Sequence, residues 1–230
     1  MIFDIDVRFP ADSTAWAPLL ETLQRLEISR FAGAIVPTEL SVSALRRCNE
    51  AAELLAQREK GYILSMWGHP ACIDQLSRAK MLEIHPSWIN ESAEVLAFAA
   101  AHKIPVCFRG KFDACISLAK AYPDVHFLMG ELIYPTCMPR EICALTEECA
   151  NVLVNLSSPL WSGNYVMHEW ITRIPAEKLL FGSAFPTANP AAKIGAFHWE
   201  LRDMGGAICE RIFYQNAAQL FEGGDVYGDH

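Results

Sequence analysis

The chain has 230 residues, of which 52% are hydrophobic and 20% charged, with 27 acidic against 19 basic side chains and a formal charge of −8. That length suits one large domain, and the apolar fraction can fill a sizeable core. An acidic surface excludes binding that depends on neutralising nucleic-acid phosphates, while leaving room for a small anion at a locally basic site.

Along the chain, short apolar runs alternate with longer amphipathic stretches. The predicted strands are 2–9 (IFDIDVRF), 31–38 (FAGAIVPT), 61–67 (GYILSMW) and 80–86 (KMLEIHP), followed by 105–110 (PVCFRG), 125–131 (VHFLMGE), 151–157 (NVLVNLS) and 178–184 (KLLFGSA). Helical spacing of apolar residues marks 14–28, 44–59, 91–103, 112–122 and 139–150. Eight strands with helices between them predict an α/β fold, a single (β/α)8 TIM-type barrel over 1–222, closed by a C-terminal helix over 206–222. The Gly-rich residues 223–230 read as a loose tail. An open doubly wound sheet is the runner-up, weakened because no Gly-rich phosphate loop follows the first strand.

The start MIFDIDVRFP has no basic region leading into a long apolar segment, and no uncharged apolar run reaches bilayer-spanning length. The eight cysteines are scattered without a CxxC pair, which predicts reduced thiols in a cytoplasmic protein. Cys137, Cys143 and Cys149 form a poor zinc set, because a spacing of six does not share one helix face.

Barrel sites form at the C-terminal strand ends, and residues two apart along a strand face the same way. The polar groups there are Asp4, Asp6 and Arg8 on strand one and Trp67 and His69 on strand three. Strand four offers Glu83 and His85, strand five Arg109, strand six Glu131, strand seven Asn155 and Ser157, and strand eight Ser183. Charges inside apolar runs are costly unless paired, so they form either a ligand site or an ion-pair network that only closes the top of the core. His69 and His85 are read as hydrogen-bonded mouth residues or as parts of a displaced site. His102, His126, His168 and His198 are assigned structural or solvated roles, and His230 is terminal. Trp161, Tyr165 and Trp170 are interface candidates, Trp170 equally a helix-packing residue.

The segments FDIDVRF, MLEIHP, PVCFRG, HFLMGELIYP, LLFGSAFP and YQNAAQLFEG, taken together, resemble the amidohydrolase superfamily. The branch is that of metal-dependent hydrolases and aminocarboxymuconate-semialdehyde-decarboxylase-like enzymes. The resemblance runs from residue 2 to 222, and LLFGSxFP and NAAxLF are its most specific parts. It implies a metal-binding barrel, yet the departures fall on the metal ligands. Asp6 and Arg8 stand for two histidines of the family's first strand, Arg109 for its strand-five His and Glu131 for its strand-six His. Ala184 stands for the strand-eight Asp that binds metal and moves a proton, and Glu83 for a frequent Lys; His85 keeps the family's HP position.

A guanidinium competes for carboxylates and repels a divalent ion, so no metal cofactor is expected. Three readings follow. The first is a noncatalytic or metal-independent member, a pseudoenzyme that binds a small anion through Arg8, Arg109, Glu83, His69 and Ser183. The second is an active hydrolase, lyase or decarboxylase with a rebuilt site in which Asp6, Glu131 and His85 are catalytic. Any divalent metal (Zn, Mn or Mg) would then sit on Asp6, Glu83, His85 and Glu131. The third is a structural or assembly subunit, either a homo-oligomer or paired with a related barrel.

Overall fold

The computed structural model describes residues 1–109, 112–130, 139–157 and 164–223. Nine short strands form: β1 (Ile2–Asp4), β2 (Ile28–Ala32), β3 (Tyr62–Ile63), β4 (Ser65–Trp67) and β5 (Met81–Ile84), then β6 (Val106–Arg109), β7 (Phe127–Gly130), β8 (Val152–Asn155) and β9 (Leu179–Leu180). All pairings between named strands are parallel, in the orders β1-β2-β3 and β4-β5-β6-β7-β8-β9. The two sheets are one wall. Only Leu64 separates β3 from β4, and its carbonyl accepts from the amides of Lys80 and Met81 at the foot of β5. At the other seam the Ile5 amide donates to the Phe181 carbonyl (3.1 Å), and Val7 bridges Phe185 in parallel. Eight strand positions thus close on themselves, with β3 and β4 sharing one.

The helices are α1 (Trp16–Arg25), α2 (Val42–Arg58), α3 (Ala93–His102), α4 (Phe112–Ala121), α5 (Pro139–Glu148), α6 (Asn164–Arg173) and α7 (Pro190–Leu201), with α8 (Gly206–Glu210) and α9 (Asn216–Glu222) at the end. The strands carry near-continuous apolar runs because both faces are buried. Leu82, Val106, Phe127, Val152 and Leu179 turn outward into the large cluster beneath the helices. Met81, Cys107, Leu128 and Leu180, one position along, make a separate inner cluster with Ala32 and Ile63.

The expected closing helix is present as α8, a π-helical turn (Arg211–Gln215) and α9. Ala217 and Ala218 pack on the inner cluster, and Phe221 stacks on Phe3 at 5.5 Å. The Asn216 amide donates to the carbonyls of Ala176 (2.7 Å) and Leu179 (2.8 Å), and Arg30 pairs with Glu222.

The second strand differs from its expected range of 31–38. α1 stops at Arg25, Glu27 turns left-handed (φ 56°), and β2 begins at Ile28. It leaves the sheet after Ala32 because Gly33 (φ 148°) lies against Val7, where a Cβ would stand 2.0 Å from the Val7 carbonyl oxygen. The helices α6 and α7 lie outside the segments picked by apolar spacing. Trp170 of α6 is a buried packing residue rather than an interface one; Trp161 and the Tyr165 side chain lie outside the described residues.

Candidate functional site

Two residues beyond the inner apolar layer, the strands change character. Met81 is followed by Glu83, Cys107 by Arg109, Leu128 by Gly130 and Leu180 by Gly182. Arg109 reaches across this upper layer. Its Nη2 donates to Asp6 Oδ1 at 2.7 Å and its Nε to Glu83 Oε2 at 2.8 Å. Glu83 Oε1 accepts from the Ala34 amide (2.6 Å), and Asp6 Oδ1 also receives Arg8 Nε at 3.3 Å. Asp6 is 0% exposed and Arg109 7%, so these charges are held by one another rather than by water.

The electrostatics follow from that geometry. Burial acts against the Asp6 carboxylate, but the nearby guanidiniums of Arg109 and Arg8 overcome it and hold its carboxyl well below the usual range. Burial likewise acts against the Arg109 cation, and Asp6 and Glu83 outweigh it, raising its pKa well above an ordinary arginine's.

Asp4 and strand nine form a second shelf. Asp4 Oδ1 accepts from the amides of Asp6 (3.1 Å) and Ser183 (2.9 Å). Burial nevertheless pushes its carboxyl up from 3.8 to about 6, because no guanidinium reaches it as one reaches Asp6. Ser183 Oγ accepts from the Phe185 amide (3.1 Å), so its hydroxyl shapes the turn. Between them Ala184 is left-handed (φ 58°), a conformation that costs an ordinary L-residue roughly 1–2 kcal/mol. Gly182 lets β8 come close, since a Cβ there would meet Asn155 Oδ1 at 2.3 Å.

Lys193, in the first turn of α7 after β9, is close enough to the group to interact electrostatically with Asp6. It is 7% exposed; burial lowers its amine to about 8, with Asp6 partly offsetting the shift. Sequence reading missed it. The signal was a single Lys in the apolar stretch NPAAKIGAF, directly after the last strand.

The two histidines play matching local roles. His69 Nδ1 accepts from the Ala71 amide (3.1 Å) and His85 Nδ1 from the Ser87 amide (3.2 Å), each capping a 3-10 turn that starts with Pro. An imidazole accepting at Nδ1 carries its proton on Nε2. Trp88 packs between them, 5.2 Å from each ring.

A pocket of about 280 Å³ opens above the ion pairs. Its lining divides by chemistry into Arg8, Glu83, His85 and Arg109, and the apolar Ala34, Val36, Pro37, Leu40, Trp67 and Pro86. The structure therefore brings Arg8, Glu83, His85 and Arg109 together, with Asp6 beneath. His69 and Ser183 are not among the lining residues. Glu131 lies outside the described residues.

A divalent ion fits this donor set poorly. Among the described residues no group of three or more His, Cys, Asp or Glu side chains is placed to hold one. Among the described residues, the mouth carboxylates Asp6 and Glu83 converge instead on a guanidinium, a permanent cation that repels a metal. The zinc set considered from sequence is not assembled either: Cys143 and Cys149 are buried free thiols, and Cys137 is outside the described residues. No helix among the described residues is long and apolar enough to cross a membrane.

Comparison with known proteins gives a consistent picture. The profile of the family described as Amidohydrolase matches residues 19–223. No curated protein matches. Among solved structures, an uncharacterized TIM-barrel protein from Bordetella bronchiseptica superposes with a TM-score of 0.73 at 13% identity, covering 96% of this chain and 98% of that one. The 2,6-dihydroxybenzoate decarboxylase from Rhizobium gives 0.72 at 12% identity, covering 96% and 99%. A dihydroxybenzoic acid decarboxylase from Polaromonas, with bound manganese and the inhibitor 2-nitroresorcinol, gives 0.69 at 13% identity, covering 96% and 97%. At such identities the likeness establishes a shared TIM-barrel fold.

Proposed function

Because the chain belongs to the amidohydrolase family, we propose that it is a metal-independent member whose barrel mouth binds a small anion beside Arg8 and Arg109. The observation that carries this reading is the Arg109 guanidinium lying between Asp6 and Glu83. Cations built into the chain, Arg109 on Asp6 and Glu83 and Arg8 on Asp6, do there what an exogenous ion would do. Among the described lining residues two guanidiniums stand beside one carboxylate, and these are the groups a small anion would meet. Ala184 has no carboxylate with which to take a proton from a metal-bound water, so the family's hydrolytic step lacks its base. The free thiols suit a reducing compartment, the cytoplasm.

The test is thermal unfolding at matched ionic strength, with acetate against chloride. Acetate raises the melting temperature of the parent by mass action, and Arg8→Gln, whose side chain is 21% exposed, removes the shift without unfolding the barrel. Manganese, zinc and chelators leave the melt unchanged. His85 lining the same pocket as Glu83 favours the second reading, a rebuilt hydrolase, lyase or decarboxylase site that also draws on Asp6 and Glu131. Turnover that disappears on chelation and returns with zinc or manganese decides for that reading.

A further inference from the structure

We propose that Cys209 and His198 form a reactive site that shares no residue with the mouth pocket, at which the thiol exchanges with a small disulfide and is capped as a mixed disulfide. The proposal is independent of the anion-binding reading. Three observations carry it. The first is a nucleophile beside a base. After α7 the chain turns at Met204, whose amide donates to the Leu201 carbonyl (3.0 Å), and at Gly205 (φ 85°). α8 then brings Cys209 Sγ to 3.8 Å from His198 Nδ1, 11 residues earlier in the chain and within reach of a sulfur hydrogen bond. The His198 ring stacks on Phe213, with 4.9 Å between centroids and 29° between planes, and this contact orients the imidazole. A nucleophile, a base within reach and a group that orients the base are the parts of an activated thiol.

The second is access. Among the described cysteines Cys209 alone is partly exposed, and the others are buried. A helical side chain lies over the turn that precedes it, three and four residues back. For Cys209 those positions are Gly206 and Gly205, and a Cβ at either would meet nothing within 4 Å. Gly195, three residues before His198 on α7, is equally open. A small reagent can therefore come up to the sulfur without displacing side chains at these positions.

The third is the chemistry of the sulfur. Burial raises the Cys209 thiol above its ordinary value, so at neutral pH the proton stays on sulfur and the thiol is the donor of the pair. Free thiolate is then scarce, yet a sulfur of higher pKa is the stronger nucleophile once its proton leaves. His198 supplies the missing step by accepting that proton at Nδ1 as attack begins. Cys209 Sγ bonds to one sulfur of the reagent while the reagent's own S–S bond breaks. The departing half leaves as a thiolate and recovers the proton from the imidazolium. Cys209 is oxidised, one reagent sulfur is reduced to a thiol, and a second small thiol reverses the exchange. In a reducing compartment such a cap is short-lived.

A dipyridyl disulfide, which releases a coloured product for each thiol it caps, tests this on the intact folded protein. The expected result is a fast phase that mass mapping assigns to Cys209 and that Cys209→Ser removes. His198→Gln, at an exposed position, should keep the parent melting temperature and slow that phase at least about tenfold. A fast phase that maps to another cysteine, Cys137 included, overturns the proposal. So does a Cys209 rate unchanged in His198→Gln, the behaviour of an accessible thiol without a base. A Cys209 that reacts only after the chain is unfolded in urea overturns it as well. Should Cys209→Ser fold poorly, the mapped Cys209 rate in His198→Gln still decides.

Discussion

Two layers of this barrel lie two residues apart along the same strands, and they are built on opposite principles. The lower one, with Met81, Cys107, Leu128 and Leu180, is fully apolar and is stabilised by area removed from water. The upper one, with Asp6, Glu83 and Arg109, is buried as completely but is stable only through pairing. The first tolerates any condition that keeps water out. The second is a set of mutual obligations, each member costly once its partner leaves. A barrel that needed only to fold would have little reason to maintain the second so close above the first, and that contrast is what supports the proposed site at the mouth.

The comparison can be broken most sharply by removing one charge. Arg109→Met takes the guanidinium from Glu83 and leaves Asp6 only the longer contact to Arg8, and should cost about 3–5 kcal/mol at neutral pH in urea melts. Adding Asp6→Asn and Glu83→Gln should recover most of that loss, because no unpaired charge then remains. In the lower layer, Leu128→Ala should cost about 2–5 kcal/mol with no such rescue. Acid separates the two. The Asp6 carboxyl is depressed in the folded state, so its contribution is present above the unfolded value of 3.8 and fades as pH falls through its lower folded value. The Arg109→Met penalty should therefore shrink in strong acid while the Leu128→Ala penalty stays constant; parallel pH profiles would dissolve the distinction between the layers.

A smaller effect of opposite sign belongs to Asp4. Its folded pKa of about 6 exceeds the unfolded 3.8, so the native state binds the proton more tightly and stability falls as pH rises between those values. Asp4→Asn should abolish that slope, gaining about 1–3 kcal/mol at pH 7 and nothing in acid below the unfolded pKa. A loss at pH 7 would mean that the ionised carboxylate is needed by the amides of Asp6 and Ser183. Smallest of all, Ala184→Gly should relieve the left-handed strain and gain about 0.5–1 kcal/mol by thermal melt. A loss there would show that the methyl group packs.

What could be read in advance was whatever depends on local pattern. The order of strands and of helices α1 to α5 followed from apolar runs and their punctuation, and the closing helix from the NAAQLF ending, while α6 and α7 were not picked out. The β2 boundary was not legible, because its end is set by the Val7 carbonyl against Gly33, a contact between distant segments. The same limit applied at the mouth. Strand-end position nominated Asp6, Glu83 and Arg109, but Arg109 meets Asp6 across 103 residues and Glu83 across 26, so who neutralises whom depended on barrel closure. Lys193 escaped because one lysine in an apolar helix reads as a solvated residue until it is seen buried within electrostatic reach of Asp6. His69 and His85 were candidates by position, yet each spends its Nδ1 on its own His-Pro turn, a backbone role that no residue count reveals.

The stacking of Phe221 on Phe3, with Glu222 paired to Arg30 across 192 residues, bears on how the chain is made as well as how it stands. During synthesis the first strand leaves the ribosome long before its last partners exist. The Ile5 amide waits for Phe181, and the Phe3 ring waits for the final helix. Until those segments emerge, the opening strand presents apolar surface with one edge unpaired, and holding it soluble falls to the segments already made or to chaperones. Closure therefore waits for residues 181–185, and a chain cut short of Phe181 would leave the Ile5 amide and the edge of the first strand without their partners.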